Sequence, residues 1–171
     1  MNSCVYLSYV GLGVNLMHLS YCHQIALKEG PITIITICKN LSDALDDDPN
    51  IKKVIYLKDY YKKVSDIFKL SKFLKNFNFD KIFIFYPSPR IFFAAKLSGI
   101  KKIYHYPLLK KNSLHLVDAA KNLTCKSLGL EDCPTETEII IDKKILKRNL
   151  EKFDKNKFNI VIGSGSSGPD T

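Results

Sequence analysis

The stretch Tyr6-Leu-Ser-Tyr-Val-Gly-Leu-Gly-Val-Asn-Leu-Met-His-Leu-Ser20 decides how the rest of the chain is read. Cys4 to Tyr9 is short and apolar enough for a fully buried strand, and Leu16, Leu19 and Ile25 to Leu27 recur at helical intervals. Gly11 and Gly13 stand between them. The stretch therefore predicts strand, tight turn, helix. Glycine admits positive φ and close approach to its backbone, so the turn is expected to leave helix N-terminal N–H groups open to a ligand. It is the first candidate site.

Two nucleotide-binding patterns are excluded there by residue count. A dinucleotide fingerprint needs a third glycine where Leu16 stands, and an acidic residue after the second strand, where the chain has Ile37-Cys-Lys-Asn40. A phosphate-binding Gly-Lys-Ser/Thr loop is also missing, because Gly13 is followed by Val14-Asn15.

Outward from this stretch, strands and helices alternate. Gly30-Pro31 stops the first helix, and Ile32 to Ile37 is a β-branched run that predicts a buried strand. Ser42 to Asp46 suits a short helix, and the acidic run Asp46-Asp47-Asp48 before Pro49 reads as a turn cap. Val54 to Leu57 predicts the third strand. Val64, Ile67, Phe68, Leu70, Leu74 and Phe77 mark an amphipathic helix with lysines on its other side. Lys81 to Tyr86 is the fourth strand, ended by Pro87-Ser88-Pro89-Arg90, and Ile91 to Leu97 is a helix that stops at Gly99. Lys102 to Tyr106 is the fifth strand, and Leu114 to Leu128 a helix closed by Gly129. Near-continuous apolar strands in βα alternation predict an α/β fold, a Rossmann-like parallel sheet with helices on both faces.

Near Thr135 the rhythm changes. Thr137 to Ile141 reads as an extended segment leaving the first core, Lys144 to Phe153 as an amphipathic helix, and Lys157 to Ile162 as a new strand. That strand runs into Gly163-Ser-Gly-Ser-Ser-Gly-Pro-Asp-Thr171, a loop whose N–H groups call for a following helix. The expected organisation is a first domain over 1–134, a connector over 135–157, and the first strand and Gly/Ser loop of a truncated second domain over 158–171.

Composition bounds the function. The chain has 171 residues, 46% of them hydrophobic, with no apolar run long enough to cross a membrane as a helix. Met1-Asn-Ser-Cys leads directly into the first strand without the pattern of a signal peptide, so the expected compartment is the cytoplasm. The five cysteines form no CxxC pair and read as reduced core thiols, and the four histidines lack ligand spacing, so no metal site is expected. The net charge of +9 is carried almost wholly by scattered lysines. Solvated faces explain most of it, and an anionic membrane leaflet or a phosphorylated substrate is a fitting partner. Nucleic acid is not expected, because Arg90 and Arg148 are the only arginines and no recognition motif is present.

Taken together, these motifs resemble a family. Tyr9 to Ser20 is similar to the first turn of the ADP-heptose:lipopolysaccharide heptosyltransferases, glycosyltransferase family 9, whose motif is Gly-Asp followed by a helix. Asn78 to Arg90 resembles that family's strand and Ser-x-Arg loop, and His115-Leu-Val-Asp118 through Leu128-Gly-Leu130 its fifth-helix segment. Ile160 to Thr171 resembles the start of its second domain, where Lys-Arg/His-Trp would normally follow. The likeness covers the whole chain in order.

The resemblance implies the N-terminal half of a GT-B fold, two Rossmann-like domains with the reaction in the cleft between them. It implies an inverting glycosyltransferase that moves a sugar from a nucleotide-activated, ADP-heptose-like donor to a lipopolysaccharide-core or other glycan acceptor. The N-terminal domain would bind that lipid-linked or oligosaccharide acceptor, at the inner face of the cytoplasmic membrane. The nucleotide-sugar donor would be a substrate, with no cofactor and no metal. As this fragment, the protein is expected to be inactive.

The implied residue roles follow. The acceptor hydroxyl must lose a proton as it attacks, and a carboxylate in the cleft suits that task. The family places an Asp directly after the glycine of the first turn; here Val14 stands there, and valine accepts no proton. Asn15 can orient a hydroxyl but is no base, and His18 would substitute only if its helix turned it toward the cleft; its spacing favours a structural or solvent-facing place. Gly11, Gly13, Asn15, Ser88 and Arg90 are the expected acceptor-binding residues, with Arg90 after a strand end where open α/β sheets bind ligands. Ser164, Ser166 and Ser167 would contact the donor diphosphate. The alternative is a non-catalytic Rossmann-like binding module docking a carbohydrate or membrane partner.

Overall fold

The computed structural model of the protein describes residues 2–58, 63–108 and 114–140. Its elements run β1 (Ser3–Leu7), α1 (Leu12–Leu16), α2 (Leu19–Glu29), β2 (Ile32–Thr36), α3 (Leu41–Ala44), β3 (Ile51–Tyr56), α4 (Asp66–Lys75), β4 (Lys81–Ile84), α5 (Pro89–Leu97), β5 (Lys102–His105) and α6 (Leu116–Leu128). The five strands form one parallel sheet in the order β3-β2-β1-β4-β5. β1 is central, with Cys4 opposite Thr33 on one side and Ile82 on the other. The chain builds outward from β1 to β3, then crosses back through α4 to lay down β4 and β5. The sheet's direction of growth therefore reverses between β1 and β4.

Alternation along β1 divides the core in two. Cys4 and Tyr6 face Leu70 and Leu74 of α4 and Ile91, Ala94 and Ala95 of α5. Val5 and Leu7 face Tyr21, Cys22 and Ile25 of α2 and Ala119 and Ala120 of α6. Apolar residues on both sheet faces are what a parallel sheet under two helix layers requires. An ion pair lies within this frame: Lys81 Nζ meets the Glu29 carboxylate at 2.5 and 2.7 Å, tying β4 to the end of α2. All five cysteines are free thiols, and Cys4, Cys22, Cys38 and Cys133 are buried.

The first turn differs from its expected form. Helix α1 already begins at Leu12, so Gly13 lies inside a helix, and the break falls later, at Met17-His18. Gly11 is extended with φ −72°, and among the described residues the glycines with positive φ are Gly30, Gly99 and Gly129. A Cβ at Gly11 or Gly13 would meet nothing within 4 Å. Neither glycine is therefore demanded by the protein's own backbone or packing.

Other boundaries move for local reasons. β3 starts at Ile51 rather than Val54; it is an edge strand whose exposed Lys52 and Lys53 interrupt the apolar run. Asp48 caps its turn as expected, accepting from the Asn50 N–H at 2.9 Å, and also meets His23 Nε2 at 2.6 Å. Residues 133–140 hold no regular element, and the Thr137 hydroxyl donates to the Leu16 carbonyl at 3.2 Å. The helix expected over Lys144 to Phe153, the strand over Lys157 to Ile162 and the loop with Ser164, Ser166 and Ser167 lie outside the described residues. Among the described residues no helix is long and apolar enough to cross a membrane.

Candidate active site

In an open parallel sheet, the reversal of strand order leaves a crevice at the carboxyl ends of the strands. Here a cleft of about 470 Å³ opens there. Its floor is Tyr6 and Ser8 from the end of β1 and Ile37 from the end of β2. Tyr86, Ser88, Arg90 and Ile91 from the β4–α5 connection form one wall, and Lys63, Asp66, Ile67 and Leu70 at the start of α4 form the other. The volume suits one or two sugar rings by the usual range for small-molecule sites, about 300–1,000 Å³.

Each polar wall residue has a structural reason to be where it is. Ser88 is the N-cap of α5, accepting from the Ile91 N–H at 3.4 Å, with Pro89 opening the helix. Its own O–H remains able to donate toward the cleft. Arg90 follows in the first turn and is exposed. Across the cleft, the Lys63 N–H donates to Asp66 Oδ2 at 2.9 Å, and Lys69 Nζ lies 3.6 Å from Oδ1. The Lys63 N–H, then the Lys69 charge, hold the Asp66 carboxyl below its ordinary range. The cleft thus presents Arg90 and Lys63 as cations, one ionised carboxylate, and Ser8, Tyr86 and Ser88 as hydroxyls. Such a set binds polyhydroxylated, anionic molecules.

The first turn is fixed beside the cleft from within. Asn15 is buried, and its Nδ2 donates to the carbonyls of Tyr9 at 2.9 Å and Gly11 at 2.6 Å. Its Oδ1 accepts from Thr36 Oγ1 at 3.2 Å, and the same Thr36 oxygen accepts from the Cys38 N–H at 3.0 Å. Both ends of the amide are engaged, so Asn15, expected to touch the acceptor, instead ties the turn to β2.

His18 is likewise turned inward, 1% exposed, stacked on Tyr9 with ring centroids 5.1 Å apart and edge-on to Phe85. Its Nδ1 lies 2.8 Å from the Val14 carbonyl, which only accepts, so Nδ1 carries the proton. Nε2 then accepts from the Tyr106 hydroxyl at 3.4 Å, a phenol whose pKa burial pushes well up. Burial lowers the His18 pKa, and the Val14 carbonyl only partly opposes that. A neutral imidazole with both nitrogens engaged takes no proton from a substrate in the cleft. Val14 itself is half-buried in α1 and is not part of the cleft lining; nor are Gly11 and Gly13, although Val10 beside them is.

Arg90 and Ser88 are thus the expected site residues that the structure brings together. Lys63 and Asp66 escape a reading of the sequence. Their signal there is only a lysine and an acid at the start of an amphipathic helix, and the crossover that returns α4 to the β1–β4 junction is what gives them a place. Among the described residues, no group of three His, Cys, Asp or Glu side chains could hold a metal ion.

No protein-family model matches the chain, and no curated protein matches it in sequence. Solved structures do match in shape. The glycosyl transferase family 9 protein from Veillonella parvula superposes with a TM-score of 0.64 at 17% identity, over 99% of this chain and 55% of that one. Family 9 glycosyltransferases share this fold. E. coli ADP-heptose LPS heptosyltransferase II matches with a TM-score of 0.55 at 16% identity, over 91% of this chain and 52% of that one. E. coli heptosyltransferase WaaC, solved with ADP, matches with a TM-score of 0.56 at 12% identity, over 86% and 53%. The chain spans about half the length of these heptosyltransferase-fold structures.

Proposed function

We propose that the chain is the acceptor-binding half of an inverting glycosyltransferase similar to the heptosyltransferases. The observation that carries this reading is the cleft at the β1–β4 reversal, which Arg90 and Lys63 line together with the hydroxyls of Ser8, Tyr86 and Ser88. The acceptor is a glycan with phosphate or carboxylate groups, either the lipopolysaccharide core or another lipid-linked sugar at the inner membrane face. Arg90 holds its anionic group by paired N–H donors, and Ser88 and Tyr86 position its hydroxyls. The donor is a nucleotide-activated sugar, held by the second half of the enzyme. Residues 1–134 form the acceptor domain, 135–157 the connector, and 158–171 the opening of the donor domain, with Ser164, Ser166 and Ser167 toward the diphosphate.

In the reaction, an acceptor oxygen bonds to the anomeric carbon from the face opposite the nucleotide diphosphate. The carbon–oxygen bond to the diphosphate breaks, and the acceptor proton goes to a base. Val14 stands where a carboxylate base would be expected, and Asn15 and His18 are engaged inside the fold. The first turn therefore supplies no base, and the carboxylate of the cleft is Asp66, already engaged by the Lys63 N–H and Lys69. The same facts favour the second reading, a non-catalytic module that holds a carbohydrate.

One transfer assay on the full reading frame, with ADP-activated sugar and a phosphorylated glycan acceptor, tests both. Arg90→Ala is expected to raise the acceptor KM by about 10- to 100-fold, the loss of a charge-assisted contact, and to leave the donor KM alone. Val14→Asp is expected to raise kcat by about 10²–10⁴-fold if the missing base limits the rate. An unchanged acceptor KM contradicts the acceptor site, and no transfer by either the wild-type protein or the Val14→Asp variant favours the module.

A further inference from the structure

Helices α4 and α5 both run back across the same face of the parallel sheet and pack side by side over one core. Their inner stripes, Leu70, Leu74, Ile91, Ala94 and Ala95, are buried. Their outer faces mix lysines with large apolar side chains. Val64 in the turn before α4 and Phe68 in its first turn have 74% and 70% of their surfaces exposed, and Phe93 and Leu97 of α5 49% and 57%. Phe93 and Leu97 are four residues apart on α5 and form a single row there, while Val64 lies in the turn just before α4.

Cations frame these side chains. Lys63, Lys69, Lys72 and Lys75 on and before α4 and Arg90 and Lys96 on α5 are all exposed, against one carboxylate among the described residues of this face, Asp66, already engaged by the Lys63 N–H and Lys69. The opposite helix layer is different. There α6 carries Asp118 as well as Lys126, and Lys121 is paired with Asp132 at 2.6 Å. The positive charge is thus one-sided where exposed aromatic and aliphatic groups are concentrated.

We propose that the outer face of α4 and α5 is a docking surface for an anionic lipid bilayer. Lysines attract the headgroups, and Phe68 and Phe93 with Val64 and Leu97 enter the boundary between headgroups and acyl chains, as the apolar rows of interfacial helices do. Nucleic acid is disfavoured as the occupant, because Arg90 is the sole arginine on the face among the described residues and the large apolar side chains there are aliphatic as often as aromatic. The geometry also joins surface to site. Both helices start at the carboxyl edge of the sheet, so Lys63, Asp66 and Arg90 belong at once to the cleft walls and to the near end of the docking face. The inference rests on the reading of the cleft as an acceptor site and extends it, since a bilayer on this face sets the cleft mouth at headgroup level, where a lipid-linked sugar is presented.

Co-sedimentation of the chain with vesicles tests it. Vesicles of phosphatidylglycerol and phosphatidylcholine are expected to bind the protein, vesicles of phosphatidylcholine alone far less, with binding that falls as salt rises. The exchange Phe68→Ser with Phe93→Ser leaves the charge intact and is expected to raise the lipid concentration for half-binding about tenfold. Lys69→Gln, Lys72→Gln and Lys75→Gln together are expected to raise it about a hundredfold. Lys28→Gln with Lys126→Gln, on the other helix layer, is expected to change it little. These positions are exposed, so urea midpoints should stay close to wild type. Equal binding to both vesicle types, equal loss from both lysine sets, or indifference to the phenylalanines overturns the proposal; the last outcome would mean unspecific attraction to polyanions. Binding of a soluble acceptor, measured without vesicles, should be unaffected by the phenylalanine pair. Failure of the cleft reading and failure of the docking face are therefore separate results.

Discussion

His18 links the first turn to pH. Burial lowers its pKa from the ordinary 6.5, so the native state takes up the proton less readily than the unfolded chain. The unfolded state then binds more protons as pH falls, and stability present above about 6.5 is lost toward the lower native value, by up to about 1.4 kcal/mol per pH unit. His18→Gln removes the titration while keeping a polar side chain. Urea unfolding between about pH 7 and pH 5 should show a steeper loss for the wild-type protein than for the variant. Parallel curves would mean that His18 does not stay neutral inside the fold. Helical spacing alone leaves His18 inward or outward, and the choice depends on the break at Met17-His18. Asn15 sits just before that break and is joined to Thr36, 21 residues away, a contact that no local pattern displays.

At the scale of elements, legibility follows burial. β2 is plain because Ile32 to Thr36 is buried along its whole length, and α4 because Leu70 and Leu74 face a core, although Val64 and Phe68, read with them as one apolar stripe, are exposed. β3 reads short because an edge strand exposes Lys52 and Lys53. The start of α1 reads late because Gly13 looks like a turn residue, although it occupies a helical position with open space around it. This yields a prediction that separates folding from function. Gly13→Ala should raise stability by about 0.5–1 kcal/mol, since alanine favours helix and its Cβ meets nothing. If the turn keeps glycine for an incoming ligand, acceptor binding should fall at the same time. A destabilised variant in thermal unfolding would contradict the observed backbone of α1.

For the whole molecule, the parallel sheet with helices on both faces is legible in the alternation of apolar strands and amphipathic helices. The position of its reversal is not, because strand order is a long-range property. That reversal assembles the cleft: Ser88 and Arg90 are legible as a strand-end loop, whereas Lys63 and Asp66 gain meaning only when α4 crosses back over β1. The central claim is that this cleft holds an anionic sugar acceptor. Mapping amide NMR shifts while titrating the chain with a phosphorylated oligosaccharide tests it most directly. The account predicts shifts concentrated at Ser8, Val10, Lys63, Ser88 and Arg90, and their loss in Arg90→Ala. Shifts confined to surfaces away from the β1–β4 junction, or the same shifts in Arg90→Ala as in the wild-type protein, would contradict it.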